Sequence, residues 1–178
     1  ETSYLAQAAQ HLGLSNLPGG PAYYQAWLDW NTTTHMTPRQ IHDLGLAEVA
    51  RIGAQMDASV AASGFKGKRP QFQKSLTTDP QFFFTKPQDM LAGYRDIAKR
   101  ADAALPALFA ELPRQTYGIR AMPPEEGDNA ERYMPGSQDG GRPGWFEANV
   151  NDLTTRPKWT METLLLHEAV PGHHLQTA

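Results

Sequence analysis

The sequence predicts a mainly α-helical fold with a small β region that precedes a final helix. Apolar residues recur at helical spacing over most of the chain, and strand-like segments occur only between about 113 and 152. At roughly 150 residues per domain, a chain of 178 residues corresponds to one domain or a piece of a larger one. We expect a single incomplete domain over 1–178, with a helical part (about 1–112), a loop-and-strand part (about 113–152) and a motif-bearing helix (about 160–178).

The first well-defined helix is predicted after a turn at Asn16–Gly20, which separates it from a short helical opening of the chain. Pro21 suits a first helical position, where the missing N–H is not needed, and the pattern extends to Trp30. Aromatic residues three, four and seven positions apart are typical of a buried helical face. We therefore expect four aromatic side chains in the core: Tyr23, Tyr24, Trp27 and Trp30.

The longest helix is predicted from Thr37, as N-cap, and Pro38, in the first turn, to Ser63–Gly64. Apolar residues recur along it at near-helical spacing: Ile41, Leu44, Leu46, Val49, Ile52 and Met56. The following segment, 64–80, has the composition of a connector, with at most a short amphipathic turn near Phe72.

Helical patterning resumes at Pro87 and gives one apolar face: Met90, Leu91, Tyr94, Ile97 and Ala98. Pro106 is expected to break or kink this helix, because proline lacks the N–H of an interior helical bond. Segments 116–120 and 145–150 are predicted to be strands around a loop rich in proline and glycine. Thr160 is then expected to cap the final helix.

Composition excludes several classes of function. Lys and Arg total 16 against 19 Asp and Glu, a net charge of -3, so no overall positive field attracts nucleic acid. The absence of cysteine excludes disulfides, thiolate catalysis and cysteine-ligated metals in this chain. No apolar run approaches the roughly 18 residues that suggest a membrane-spanning helix.

The chemistry-bearing segment is Leu164–Gln176, which holds three of the six histidines and one glutamate. In the metallopeptidase pattern H-E-x-x-H, two histidines one helical turn apart bind Zn²⁺, and the glutamate addresses the water on the metal. Here four residues, not two, separate His167-Glu168 from the next histidine, His173. The segment therefore departs from that pattern.

An uninterrupted helix would keep these histidines apart. At about 1.5 Å rise per residue, His174 would return to the face of His167 but lie roughly 10.5 Å along the axis, too far for a shared metal. Pro171 makes an uninterrupted helix unfavourable, because a proline at this position clashes with the carbonyl of His167. Gly172 then permits an unusual turn that could bring the histidines together. If the chain bulges at this point, His173 takes the place of the second histidine.

With such a bulge, His167 and His173 are the expected Zn²⁺ ligands, and Glu168 is the expected general base that acts on an activated water. His174 is then free either to stabilise an oxyanion or to replace His173 as ligand. The alternative is a polar cluster at a helix C-terminus, where cations are favoured by the helix dipole.

Four segments together resemble the bacterial family of unknown function DUF885: the motif His167–Gln176, Gly45–Ile52, Leu112–Arg114 and the loop-strand Tyr133–Asn149. The resemblance implies a mostly helical zinc metallopeptidase of the glutamate-zincin kind, often larger than this chain and often exported or lipoprotein-anchored. It also implies a further glutamate ligand on a later helix. We expect that ligand beyond Ala178, so this chain would carry a half-site of a longer protein.

The resemblance also implies a binding mode for substrate, in which an edge strand beside the metal helix pairs with an extended peptide. Residues 145–150 are the candidate strand, with Asn149 to hold a substrate amide and Arg142 to hold a carboxylate. The alternative is a sheet edge packed against helices, with Asn149 as a turn residue.

We therefore expect a zinc-dependent hydrolase, a peptidase or other amide hydrolase, with no nucleic-acid partner and no membrane span. The remaining part of the same protein, or a second chain, is expected to complete its fold. The competing hypothesis is a noncatalytic helical module that binds a peptide or protein and uses its histidines structurally. Glu131 and Glu147 are the only plausible third metal ligands within this sequence, and we favour neither.

Overall fold

The computed structural model describes residues 13–127 and 129–178, so the predicted helical opening before residue 13 lies outside the described residues. The chain forms two compact units, 1–69 and 70–178. The fold class predicted from sequence, mainly α with a small β region, is confirmed.

The regular secondary structure in the described part of the first unit is entirely helical. A 3-10 turn at Leu14–Asn16 precedes helix α1 (Gly20–Thr32), and helix α2 spans Pro38–Ala62. The N-cap prediction for α2 is confirmed: Thr37 accepts a hydrogen bond from the backbone of Gln40, whose side chain bonds back to the Thr37 backbone.

The apolar faces of α1 and α2 are exposed, so the prediction of a core aromatic stripe on α1 is wrong. Trp30 is 80% exposed and Val49 is 71% exposed. Several further large apolar side chains of the two helices are exposed as well: Tyr23, Tyr24, Trp27, Leu44, Leu46, Ile52 and Met56. Periodicity identifies a face that favours burial, but it does not identify what covers that face.

Helix α3 (Arg69–Thr78) begins at the boundary of the two units and replaces most of the predicted connector. The connector prediction is therefore wrong over these ten residues. Pro70 lies in the first turn of α3, where proline is tolerated. The helix buries no residue fully, which is consistent with the weak apolar pattern of its sequence.

Helix α4 (Pro87–Leu108) buries the predicted face through Met90, Tyr94 and Ala98. Pro106 lies in the last turn, and the helix ends two residues later. The proline therefore marks the end of the helix, as expected, because no complete helical turn follows it.

A three-stranded sheet follows, with strands β1 (Tyr117–Ala121), β2 (Arg132–Met134) and β3 (Gly144–Ala148) in the order β1-β3-β2. β3 pairs in parallel with β1 and antiparallel with β2. The prediction that 145–150 forms an edge strand is therefore wrong, because β3 is central. Strand β2, which sequence analysis missed, is only three residues long, too short for a clear alternating pattern.

Two short helices complete the second unit: α5 (Met161–Glu168) and α6 (Gly172–Thr177). Thr160 occupies the predicted N-cap position of α5, but its hydroxyl donates to the carbonyl of Pro157 instead of capping the helix.

The core of the second unit lies between α4, the sheet and α5. Its buried members come from all three: Met90, Tyr94, Ala98, Ile119, Phe146, Ala148, Met161, Leu165 and Ala169. The rings of Tyr94 and Phe146 lie 4.8 Å apart at their centroids. This packing fixes α5 against the sheet and so positions the histidine motif at its C-terminal end.

Candidate metal centre

The motif helix is interrupted where Pro171 predicts a break. Helix α5 ends at Glu168, and Ala169 leaves helical geometry with φ -107° and ψ -100°. The Val170–Pro171 peptide bond is cis, and α6 begins at Gly172. A β-carbon at residue 172 would overlap the backbone carbonyl of His167. Glycine thus allows the start of α6 to lie directly against the last turn of α5.

The interruption brings three side chains together: His167, Glu168 and His173, which we call the His-Glu-His cluster. One possible ligand atom from each lies within 4.8 Å of the others. Glu168 lies between the two histidines, with Oε1 4.0 Å from Nε2 of His167 and Oε2 3.9 Å from Nε2 of His173. The two imidazole rings are perpendicular, with centroids 5.0 Å apart.

The chemistry of the cluster fits a zinc ion. Two imidazole nitrogens and a carboxylate are common zinc ligands, and donors bound at about 2.0–2.1 Å in a tetrahedron lie roughly 3.4 Å from each other. The observed separations of 3.9 and 4.0 Å are close to this value but longer than hydrogen bonds. Within the residues that the structure describes, no other group of three His, Asp or Glu side chains converges in this way.

The side chain of Gln176 orients His173. Its Oε1 lies 2.7 Å from Nδ1 of His173, and because an amide oxygen only accepts, Nδ1–H is the donor. In a neutral imidazole, Nε2 is then unprotonated, and Nε2 is the atom that faces Glu168. A metal-binding histidine typically donates its other N–H in this manner.

Glu168 is held in place by strand β2. The backbone N–H of Tyr133 donates to Oε2 of Glu168 at 3.2 Å, and the carboxylate side chain is 17% exposed. The strand that lies beside the cluster is therefore β2 and not the predicted segment 145–150.

His174 points into the protein and does not join the cluster. It is 3% exposed, its Nε2 donates to the carbonyl of Gln115 at 3.1 Å, and its Nδ1 lies 2.6 Å from the hydroxyl of Tyr133. Burial lowers the pKa of His174, an effect opposed by the bond to Gln115 and by the charge of Asp102. Both nitrogens already have partners, so the predicted roles as oxyanion donor or alternative ligand would require His174 to leave them.

The predicted substrate residues contact loops. Asn149 is buried, its Nδ2 donates to the carbonyls of Gly127 (2.8 Å) and Asn129 (2.7 Å), and its Oδ1 accepts from the backbone of Asn151. The backbone N–H of Arg142 donates to the Ser137 hydroxyl at 2.8 Å. Asn149 therefore organises the loop between β1 and β2.

The two in-chain candidates for a third ligand are engaged in ion pairs. Glu147, 2% exposed, lies between Arg120 (2.6 Å) and Arg132 (2.7 Å), and Glu131 pairs with Arg156 at 3.0 Å. Their charges are balanced by guanidinium groups, so neither carboxylate is available to a metal without disrupting a buried pair.

Sequence reasoning missed Tyr133, Gln115 and Gln176, which support the motif. Gln176 lies three residues after His173, a spacing at which side chains on a helix meet, so its contact could have been found. Tyr133 and Gln115 are 41 and 59 residues from His174, and no local pattern connects them.

The fold and the cluster define a mainly helical protein with a histidine-carboxylate site at the junction of two short helices. The chain belongs to the DUF885 family, described as a bacterial protein of unknown function, whose family model matches residues 1–178. Among solved structures, it is similar to a crystal structure of "the putative lipoprotein from Colwellia psychrerythraea", with 29% identity and a TM-score of 0.78. The match covers 98% of this chain and 31% of that chain, so this chain spans about a third of the solved protein. No match was found among curated proteins.

None of the helices within residues 13–127 and 129–178 combines the length and the apolar character that a membrane span requires.

Proposed function

We propose that the protein carrying this chain is a zinc-dependent hydrolase that cleaves peptide or other amide bonds. The observation that carries the proposal is the convergence of His167, Glu168 and His173: their possible ligand atoms lie within 4.8 Å of one another, and the Glu168 carboxylate lies about 4 Å from each imidazole, where it can reach a water on a metal held by the histidines. The perpendicular imidazoles and the hydrogen bond from His173 to Gln176 also support it.

In this proposal, His167 and His173 hold the metal through nitrogen. Zn²⁺, when bound, acts as a Lewis acid that polarises a carbonyl and makes water more acidic. Glu168 accepts a proton from the attacking water and passes it to the leaving amine. The Tyr133 N–H fixes the Oε2 of Glu168, which limits the rotation of the carboxylate and keeps it between the histidines.

Two histidines do not complete the protein ligand set of a typical catalytic zinc site, which has three protein ligands. We propose that the third ligand is a glutamate from the longer protein, with Glu168 remaining the base. The similar solved chain is about three times as long as this one, which leaves room for such a contribution.

A peptide substrate would lie beside β2 rather than β3, because β2 is an edge strand and its Tyr133 N–H lies next to Glu168. We keep Arg142 as a candidate for a substrate carboxylate, whereas the contacts of Asn149 favour a structural role. The similar lipoprotein supports an exported location, and the net charge of -3 argues against a nucleic-acid substrate.

One observation favours the second candidate function, a noncatalytic module that binds a peptide or a protein. The apolar faces of α1 and α2 are exposed, including Trp30 at 80%, and such surfaces often mark sites of interaction. The remaining part of the longer protein, or a second chain, would then cover these helices.

Replacing Glu168 by Gln in the full protein tests the catalytic role. We expect release of new amines from a mixed peptide library to fall by about 10²–10⁴-fold while zinc stoichiometry is kept, because a general base is lost and the histidines remain. Glu162→Gln is the matched control, since Glu162 is 61% exposed in the first turn of the same helix. Unchanged turnover would remove Glu168 from the mechanism, and loss of zinc would make it a ligand.

A further inference from the structure

Tyr133 contacts both halves of the interrupted motif. In an extended strand the backbone N–H lies in the plane of the sheet, whereas the side chain stands roughly perpendicular to it. The N–H of Tyr133 donates to Glu168 at the end of α5, and the hydroxyl lies 2.6 Å from Nδ1 of His174 in α6. One residue of β2 is thus bonded to the helix on each side of the break.

The hydroxyl contact has a defined direction. The carbonyl of Gln115 can only accept, so Nε2 of His174 is the donor to it at 3.1 Å. In the neutral ring Nδ1 is then an acceptor, and the Tyr133 hydroxyl donates to it. The structure also provides room for this contact, because a β-carbon on Gly144 would overlap the phenol oxygen of Tyr133.

His174 is the buried residue through which α6 is anchored. This helix has six residues, and its neighbouring histidine, His173, is 43% exposed and faces the cluster. A helix of fewer than two turns has little stability of its own, so its position depends on tertiary contacts. Besides the two ring contacts, the backbone N–H of His174 donates to the carbonyl of Ala169 at 2.9 Å.

We propose that Tyr133 is a positioning residue that sets His173 relative to His167 and Glu168 by bonding both helices of the motif. This inference concerns the same site as the proposed function. Only the expected change in zinc affinity rests on the proposal that the protein binds zinc. The placement of the two imidazoles is a property of the protein without metal and is measured separately.

The test replaces Tyr133 by Phe, which keeps the ring and the backbone N–H but removes the hydroxyl. Tyr117→Phe is the matched control: the Tyr117 ring lies 5.0 Å from the His174 ring, but its hydroxyl donates to Asp102 at 2.9 Å. In metal-free, histidine-labelled protein, we expect the nuclear Overhauser contact between the rings of His167 and His173 to weaken in Tyr133→Phe and to persist in Tyr117→Phe.

Zinc affinity, measured by competition with a chromophoric chelator, is the second measurement. We expect a loss of about 10–100-fold in Tyr133→Phe, the range typical of residues that support metal ligands, and none in Tyr117→Phe. An unchanged ring contact in a folded Tyr133→Phe protein would overturn the inference. If the ring contact weakens in Tyr133→Phe but the wild-type protein binds no zinc, Tyr133 remains a positioning residue and the proposed function is refuted.

Discussion

Replacement of Gly172 by Ala should separate the two histidines of the cluster. The added β-carbon would overlap the carbonyl of His167 and lie 2.7 Å from the carbonyl oxygen of Leu166, whereas real β-carbons essentially never approach within 3.0 Å. Because both obstacles are backbone atoms of α5, no side-chain rotation relieves the overlap. Helix α6, which carries His173, must instead move away from α5.

The size of the effect follows from this overlap. Overpacking that forces a backbone shift typically costs about 1–3 kcal/mol, which lowers the melting temperature by roughly 2–12 °C for a domain of this size. If the same free energy is lost from metal binding, zinc affinity falls by about 5–140-fold, since each 1.4 kcal/mol corresponds to a factor of ten. The assay is a zinc titration and a thermal melt of the same preparation.

Gly45→Ala is the matched control for this prediction. Gly45 lies inside α2, and a β-carbon there would meet nothing within 4 Å. Alanine in a helix interior is favoured over glycine by about 1 kcal/mol, so this variant should be as stable as the wild type or more stable, with unchanged zinc affinity. If Gly172→Ala binds zinc as tightly as Gly45→Ala, the account of how the break assembles the cluster is wrong.

Two further substitutions test the surroundings of the cluster. Gln176→Ala should reduce zinc affinity by about 10–100-fold, because His173 loses the acceptor that fixes its tautomer. Gln176→Glu should restore most of the affinity, because a carboxylate also accepts. Equal affinities of wild type and Gln176→Ala in a chelator competition would refute the proposed orientation of His173 by Gln176. Glu147→Gln should destabilise the protein by about 1–3 kcal/mol in urea unfolding, because two guanidinium groups lose a buried carboxylate. The control is Glu48→Gln, which removes one partner of an exposed ion pair with Arg51 and should change the stability little. Equal destabilisation by Glu147→Gln and Glu48→Gln would contradict the role given to the buried carboxylate.

The helices other than α3 were predictable because their boundaries carry local signals. Proline at the first position and Thr37 at the N-cap mark helix starts, and the apolar pattern of α4 matches the face that packs in the core. Burial was less predictable: the stripes of α1 and α4 look alike in sequence, but only that of α4 is covered in the structure.

The sheet was predictable in part. Strands β1 and β3 were located, but their order was not, because five residues are too few to show whether a strand pairs on one side or on both. Strand order depends on the partner β2, whose three residues are too few for a pattern.

The motif was predictable as a break, because Pro171 is incompatible with a continuous helix through His167. Its supporting contacts were not predictable. His174 and His173 are adjacent and chemically identical, and only contacts from residues 41 and 59 positions away direct one ring inward while the other faces Glu168.

The central claim is that the His-Glu-His cluster binds zinc, and metal content after purification without chelator tests it most directly. The full protein, the variant His167→Ala and the control His35→Ala, whose side chain is 95% exposed, should be compared. We predict stoichiometric zinc in the wild type and the control, and its loss in His167→Ala. Absence of zinc from the wild-type protein, or equal zinc in all three, would contradict the account.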